Sequence, residues 1–234
     1  MKVLIIIPAY NEELNIKSTV NKIINCSKKV DYDVDYIVIN DGSVDNTCRI
    51  CEENKFNVIN LIDNLGIGGA VQTGYKYAYI NDYDVAIQFD GDGQHDEKYI
   101  DVLVSEIKNG YNFVIGSRFV QELSKFKSTV TRRFGIKILS FLIKIFTRKR
   151  IFDPTSGFRA ADKKVIKIFA SNYPTEYPEP ESTVNLIRNK YRIKEVPVEM
   201  HDRQYGSSSI KPLKSAYYMF SVSVSIIIGS IIRR

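Results

Sequence analysis

Residues 85–95 read VAIQFDGDGQH: a short, nearly continuous apolar run that breaks into two carboxylates set among glycines. A run of this length bounded by turn residues is the pattern of a strand buried on both faces. Gly91 and Gly93 permit turn conformations in which Asp90 and Asp92 converge. Two carboxylates with a neighbouring amide, here Gln94, suit a hard divalent cation such as Mg²⁺ or Mn²⁺. On a nucleotide diphosphate, such a cation stabilises the charge that develops on the leaving phosphate. A solvated Asp-Gly turn is the plainer alternative.

Moving outward, the same pattern recurs. Val3–Ile7, Tyr36–Ile39, Val58–Ile62 and Phe113–Ile115 are further apolar runs, and they end in PAYNEE, NDGS, DNLGIGG and GSR. Between them lie stretches of helical periodicity: Ile16, Val20, Ile23 and Ile24, a segment from the glycines at 66, 68 and 69 to about Tyr79, and Glu97–Lys108. Strands alternating with helices predict an α/β fold with a mostly parallel sheet flanked by helices. Ligands of such sheets bind beyond the carboxyl ends of the strands, and the carboxylates of this chain cluster there. Asp41 ends the second run and reads equally as the cap of a following helix. The glycines at 66, 68 and 69 could turn backbone N–H groups toward a phosphate. Their spacing fits neither a dinucleotide fingerprint nor a P-loop. The second half is less regular. It has an apolar-basic stretch at 134–146, a loop DPTSGFRAA at 153–161, three prolines between 173 and 180, and one more strand near 192–198.

With 234 residues the chain suffices for one domain and its core. The N-terminus lacks the pattern of a secretory signal, so a cytoplasmic setting is expected. Cys48 and Cys51 form a CxxC without further ligands at zinc spacing, and with Cys26 they read as small apolar residues. The net charge of +6 is local: Leu123–Phe152 holds nine Lys or Arg and no acid, leaving the remainder net −3. That patch calls for an anionic partner. Its basic residues are interleaved with aliphatics and Phe, which disfavours nucleic acid and suits a membrane interface. Residues 215–232 carry no charge and would span roughly 27 Å as a helix, borderline for crossing a bilayer. Their serines favour an interfacial helix, with the protein peripheral on the inner face of the membrane.

IPAYNEE, VINDGSVDNT, NLGIGGAVQTGYKYA, QFDGDGQH and IGSR stand in the order and spacing of family 2 glycosyltransferases of the GT-A (Rossmann-like) fold, which this chain resembles. The likeness is dense over 2–118 and thinner through RRFG, DPTSGFRA and HDRQYGSSS, as in the lipid-phosphate members. It implies a GT-A domain over 1–210, with a nucleotide-sugar half (1–118) and an acceptor half (119–210), followed by a membrane-associated helix over 211–234. It also implies an inverting transferase using a UDP, GDP or dTDP sugar and a lipid-linked or glycan acceptor, with a polyprenyl-phosphate acceptor as the alternative. Pro8, Tyr10, Glu12 and Asp41 would line the nucleoside pocket. Asp90, Asp92 and Gln94 match a DxDxQ that contacts metal and diphosphate, with Asp92 catalytic. Arg118 and Arg203 would meet the donor and Arg133 the acceptor side. One departure is Ser208-Ser209, where the lipid-phosphate enzymes tend to carry Ser-Lys; Lys211 could substitute.

A phosphate acceptor needs no base, whereas a sugar hydroxyl usually does. Glu179 and Glu181, stiffened by prolines just before an expected helix, are the candidate bases. Both read equally as an acidic helix N-terminus.

Overall fold

The computed structural model of the chain describes residues 1–120 and 130–201. Arg203 and the helix expected over 211–234 lie outside them. Seven strands and seven α-helices follow in order among the described residues: β1 (Lys2–Ala9), α1 (Ile16–Ser27), β2 (Asp33–Asn40), α2 (Thr47–Glu53), β3 (Val58–Asn60), α3 (Gly66–Ile80), β4 (Val85–Gln88), α4 (Ile100–Lys108), β5 (Phe113–Ser117), α5 (Val130–Thr147), β6 (Arg159–Asp162), α6 (Lys163–Ser171), α7 (Pro178–Arg188) and β7 (Ile193–Pro197). A short 3₁₀ turn, Glu97–Tyr99, precedes α4.

The strands form one sheet in the order β3-β2-β1-β4-β6-β5-β7. All neighbours are parallel except β6, which runs antiparallel to both β4 and β5. The expected loop DPTSGFRA is thus corrected: its last residues enter the sheet. Arg159-Ala-Ala-Asp162 lacks the branched apolar run that marks the other strands, and pairing on both sides holds it extended.

The core explains the apolar runs. Val3, Ile5 and Ile7 of β1 point into one layer and Leu4 and Ile6 into the other, all fully buried. Helices α1, α2 and α4 cover the first face, and α3, α5, α6 and α7 cover the second. Each such aliphatic side chain contributes about 1.5–3 kcal/mol on burial, so β1 anchors both layers. Cys51 lies fully inside, and burial pushes its thiol up to about 11, as a small apolar residue requires.

Helix α3 approaches its neighbours more closely than a side chain would allow. A Cβ on Gly68 would stand 2.4 Å from the Thr175 carbonyl oxygen and 2.5 Å from that of Pro174. Alanine in a helix interior is worth up to about 1 kcal/mol over glycine. Overpacking against backbone costs about 1–3 kcal/mol. Gly68→Ala is therefore expected to lower the midpoint of urea unfolding despite its better helix propensity, and an unchanged or raised midpoint would show that the 174–175 segment yields freely.

Candidate active site at the carboxyl ends of the strands

The loops after β1 and β2 are stitched together by side chains. Asn11, in the left-handed region (φ 56°), donates its N–H to Ser43 Oγ (3.0 Å), and its Oδ1 accepts from Val44 N (2.9 Å). Glu12 N donates to Thr47 Oγ1 (2.9 Å) and Glu13 N to Asp45 Oδ2 (3.1 Å). Glu13 Oε2 in turn accepts from the backbone and side-chain nitrogens of Asn46 (3.0 and 2.7 Å). This lattice leaves the Tyr10 ring exposed at the rim and turns the Glu12 carboxylate onto Asn15 Nδ2 (2.8 Å). The Pro8 carbonyl accepts from Gly91 N (3.2 Å), tying the end of β1 to the Asp-Gly turn after β4.

Asp41 is buried and caps a helix, though not the next one. Its Oδ1 accepts from Leu65 N (2.8 Å) at the start of α3, and its carbonyl accepts from Asn64 Nδ2 (3.1 Å). Burial raises its carboxyl above the ordinary range, while the N–H groups of Leu65 and Gly66 work against that rise. Helix α2 is served instead by Asp45, whose Oδ1 accepts from Thr47 N (2.9 Å). Gly42 makes the crossing possible: it sits at φ +66°, and a Cβ there would meet Asn64 N at 2.8 Å. In α3, Gly68 and Gly74 serve close packing, while Gly66 opens the helix at φ +76°. Leu65 N is taken by Asp41 and Gly66 N by Asn64 Oδ1 (3.1 Å).

The β4 end carries the carboxylates. Asp90 Oδ1 accepts from Gln88 Nε2 (3.2 Å), and Asp90 N donates to His95 Nδ1 (3.2 Å). That bond assigns the proton of a neutral His95 to Nε2, which lies 3.6 Å from Asp90 Oδ2. The ring is buried, stacked on Phe158 and edge-on to Phe89. Asp92 Oδ1 accepts from Gln94 N (3.1 Å). Gln94 Nε2 donates to the His201 carbonyl (3.2 Å), and His201 N returns a bond to the Gln94 carbonyl (2.9 Å). Lys98 bridges Asp96 (2.9 Å) and Glu199 (2.8 Å). The Asp-Gly turn is thereby roped to the segment leaving β7.

This donor set fits a hard divalent cation in an open site. Two carboxylates and a carboxamide are present, and Gln88 Oε1 is buried with no hydrogen-bond partner among the described residues. Among the described residues no group of three or more His, Cys, Asp or Glu is placed to hold a metal ion by itself. A cation here would complete its shell from a bound diphosphate and water, the ordinary habit of Mg²⁺. Gly157 keeps the approach clear, since a Cβ there would lie 2.6 Å from Asp90 Oδ2.

Behind Asp90 lie two buried arginines. Arg118 grips Asp153 through Nε and Nη2 (both 2.7 Å) and Thr155 Oγ1 through Nη2 (3.0 Å). Burial opposes ionisation of Asp153, but Arg118 outweighs it and holds the carboxyl below its usual range. Most of the Arg118 fork is thus engaged within the protein. Arg159, which the motif reading passed over, is wholly buried. It donates to the carbonyls of Ser156, Pro154 (2.9 Å) and Glu179 (2.7 Å), and to the hydroxyls of Ser182 (3.1 Å) and Thr183 (3.2 Å). The signal for it was an arginine between Phe158 and two alanines, an apolar setting that demands internal partners.

Glu179 and Glu181 stand in the first turn of α7, with Pro178 opening the helix. Burial raises the Glu179 carboxyl; Arg159 counteracts it, Asp90 adds to it, and the Gln88 amide steadies the ionised form. Geometry puts Glu179 in the same neighbourhood: Arg159, which faces Gln88 across the β4–β6 pair, donates to the Glu179 carbonyl. Glu181 N donates to the Tyr177 carbonyl (3.3 Å), and its side chain is half-buried. Arg133 is exposed on α5.

Residues 4–169 match the family described as Glycosyl transferase family 2. The chain is 34% identical over 223 residues to the UDP-N-acetylglucosamine–dolichyl-phosphate N-acetylglucosaminyltransferase of Methanococcus voltae, covering 86% of each. It is 33% identical over 218 residues to a dolichol-phosphate mannosyltransferase of Pyrococcus furiosus, covering 90% of this chain and 60% of that one. Its fold matches glucosyl-3-phosphoglycerate synthase of Mycobacterium tuberculosis, solved with Mn²⁺, uridine diphosphate and phosphoglyceric acid. The TM-score is 0.71 at 18% identity, over 98% of this chain and 78% of that one. With the GT-A sheet, the strand-end carboxylates and the family match together, the chain belongs to glycosyl transferase family 2.

Proposed function

We propose that this family 2 glycosyltransferase moves a sugar from a nucleotide diphosphate donor onto a hydroxyl of a lipid-linked or glycan acceptor, with inversion at the anomeric carbon. The observation that supports this reading is the place of Glu179 beside the Gln88–Asp90 pair: Arg159, which faces Gln88 across β4 and β6, donates to the Glu179 carbonyl (2.7 Å), and Gln88 donates to Asp90. Asp90 and Asp92, with Gln94, would hold Mn²⁺ or Mg²⁺, which when bound neutralises charge on the departing diphosphate. Glu179 accepts the proton of the acceptor hydroxyl as its oxygen bonds to the anomeric carbon. The carbon–phosphate-oxygen bond breaks on the opposite side, and the diphosphate leaves with the electron pair. Pro8, Tyr10 and Glu12 border the space for the nucleoside. Asp41 supports it by fixing α3, and Arg118 by fixing the 153–155 turn.

A second reading has a specific support. The relatives from Methanococcus voltae and Pyrococcus furiosus, and a polyprenol monophosphomannose synthase of Mycolicibacterium smegmatis that is 26% identical over 243 residues, are named for lipid-phosphate acceptors. A phosphate is already a nucleophile and asks nothing of Glu179.

The readings separate on Glu179→Gln. A base that works as the carboxylate loses activity as pH falls through its pKa, and burial sets that fall above the usual carboxylate range. The variant is expected to lose more than about tenfold in kcat, with the acid limb of the pH profile gone and donor KM little changed. Glu181→Gln should leave kcat within that factor. Wild-type turnover in Glu179→Gln would move the assignment to a phosphate acceptor.

Donor binding is tested without turnover. With Mn²⁺ present, the preferred nucleoside diphosphate at a hundred times its Kd should stabilise the protein by about 2.7 kcal/mol. Chelation or Asp92→Asn should abolish the Mn²⁺-dependent part of that shift. A full shift in both cases would place the cation elsewhere.

A further inference from the structure

Helix α5 presents two opposite faces. Ile136, Leu139 and Ile143 are buried in the core. On the other side Phe134, Ile138, Phe141 and Ile145 are 66%, 41%, 62% and 54% exposed. At about 100° per residue these four fall within about 60° of arc. Lys137 and Lys144, both exposed, run along one flank of the same stripe, and the exposed Arg148 follows directly after the last turn of the helix. A solvated outer face would carry polar residues at these positions, and an isolated exposed Phe would mean little. Two phenylalanines and two isoleucines in register on one helix face, with cations alongside, are a surface built for a partner.

We infer that the Phe134/Ile138/Phe141/Ile145 stripe of α5 docks the protein on an anionic lipid surface, with Lys137, Lys144 and Arg148 among the headgroups. Charge complementarity selects this occupant. Leu123–Phe152 contains no acidic residue, so the patch has nothing to pair with cations of a partner, and it meets anionic lipid without repulsion. The cores of protein–protein interfaces are depleted in lysine, whereas a lysine- and arginine-flanked stripe of Phe and aliphatics is what the boundary between headgroups and acyl chains accommodates. Among the described residues no helix is long and apolar enough to cross a membrane, so α5 would lie along the surface. This goes beyond the proposed reaction and is independent of which donor or acceptor is used.

The test is sedimentation of the full chain with vesicles of phosphatidylcholine alone or with about one-quarter phosphatidylglycerol, alongside thermal midpoints and sedimentation velocity. Wild type is expected to partition onto the anionic vesicles. Phe134→Ala/Phe141→Ala should weaken that at least about tenfold, with an unchanged thermal midpoint and oligomeric state. Lys137→Gln/Lys144→Gln/Arg148→Gln should lose the preference for anionic vesicles. The inference is overturned if wild type ignores both vesicles, or if both variants bind as wild type does. It is equally overturned if the Phe variant lowers the midpoint or changes the oligomeric state, because another segment of this chain or a second copy then covers the stripe.

Discussion

The guanidinium of Arg159 is wholly buried, and the second half of the molecule is arranged around satisfying it. An unpaired charge in the interior costs several kcal/mol even after relaxation. Here no single carboxylate answers it. The carbonyls of Pro154 and Ser156 fold the DPTSGF turn around it, and the Glu179 carbonyl with the Ser182 and Thr183 hydroxyls brings the first turn of α7 to the same point. The Phe113 ring lies 5.6 Å from the cation. One charge thus fixes the position of Glu179 relative to β4, because β6, which carries Arg159, is hydrogen-bonded directly to it.

The electrostatics follow from that placement. Asp90 raises the Glu179 carboxyl while Arg159 lowers it, and Asp90 also acts on Arg118, itself locked to Asp153. Glu195, raised by burial, accepts from the N–H groups of Phe152 and Asp153 (2.8 Å each) and holds that turn from below. Negative charge accumulates at the mouth, at Asp90, Asp92 and Glu179, while the arginines that balance it are sunk behind. This polarity is what the proposed divalent cation and the anionic diphosphate it carries would require.

The first half of the fold was legible because β1, β4, β5 and the end of β2 are apolar runs buried on both faces, whereas β3, at the sheet edge, is only half-buried and stops at Asn60, short of the expected Ile62. The strand-end clustering of carboxylates followed from the same pattern. Arg159–Asp162 was not legible as a strand, because an arginine, two alanines and an aspartate hold no period; pairing from both sides supplies what propensity does not. Nor could the sequence say that Asp41 caps α3 rather than α2. The choice depends on Gly42 reaching φ +66° against the backbone of Asp63 and Asn64, a tertiary approach with no local signature. The lattice of Asn11, Glu13, Ser43 and Asp45 was invisible for the same reason, its partners lying more than thirty residues apart. Between Glu179 and Glu181 the sequence had no means to choose. In a helix of 3.6 residues per turn, two positions apart is more than half a turn, and the neighbours at Gln88 and Asp90 single out Glu179.

Helix α5 is tied to this site by a chain of hydrogen bonds. Ser140 Oγ donates to the Ile151 carbonyl, and Lys149 Nζ donates to the Ile193 carbonyl on β7 (2.8 Å). Glu195 then receives Phe152 and Asp153, and Asp153 closes onto Arg118 at the end of β5. All of these links but the exposed Phe152–Glu195 bond are buried or half-buried, so a tilt of the outer face of α5 would disturb the turn behind Asp90. A surface that received that face would set the height and orientation of the carboxylates at the end of β4, to which the proposed function assigns the chemistry. An acceptor confined to the same surface then needs little further positioning to meet the anomeric carbon, which removes much of the orientational cost of a bimolecular encounter. A freely diffusing acceptor would gain nothing from the arrangement, and on that ground the geometry of α5 favours an acceptor carried on lipid.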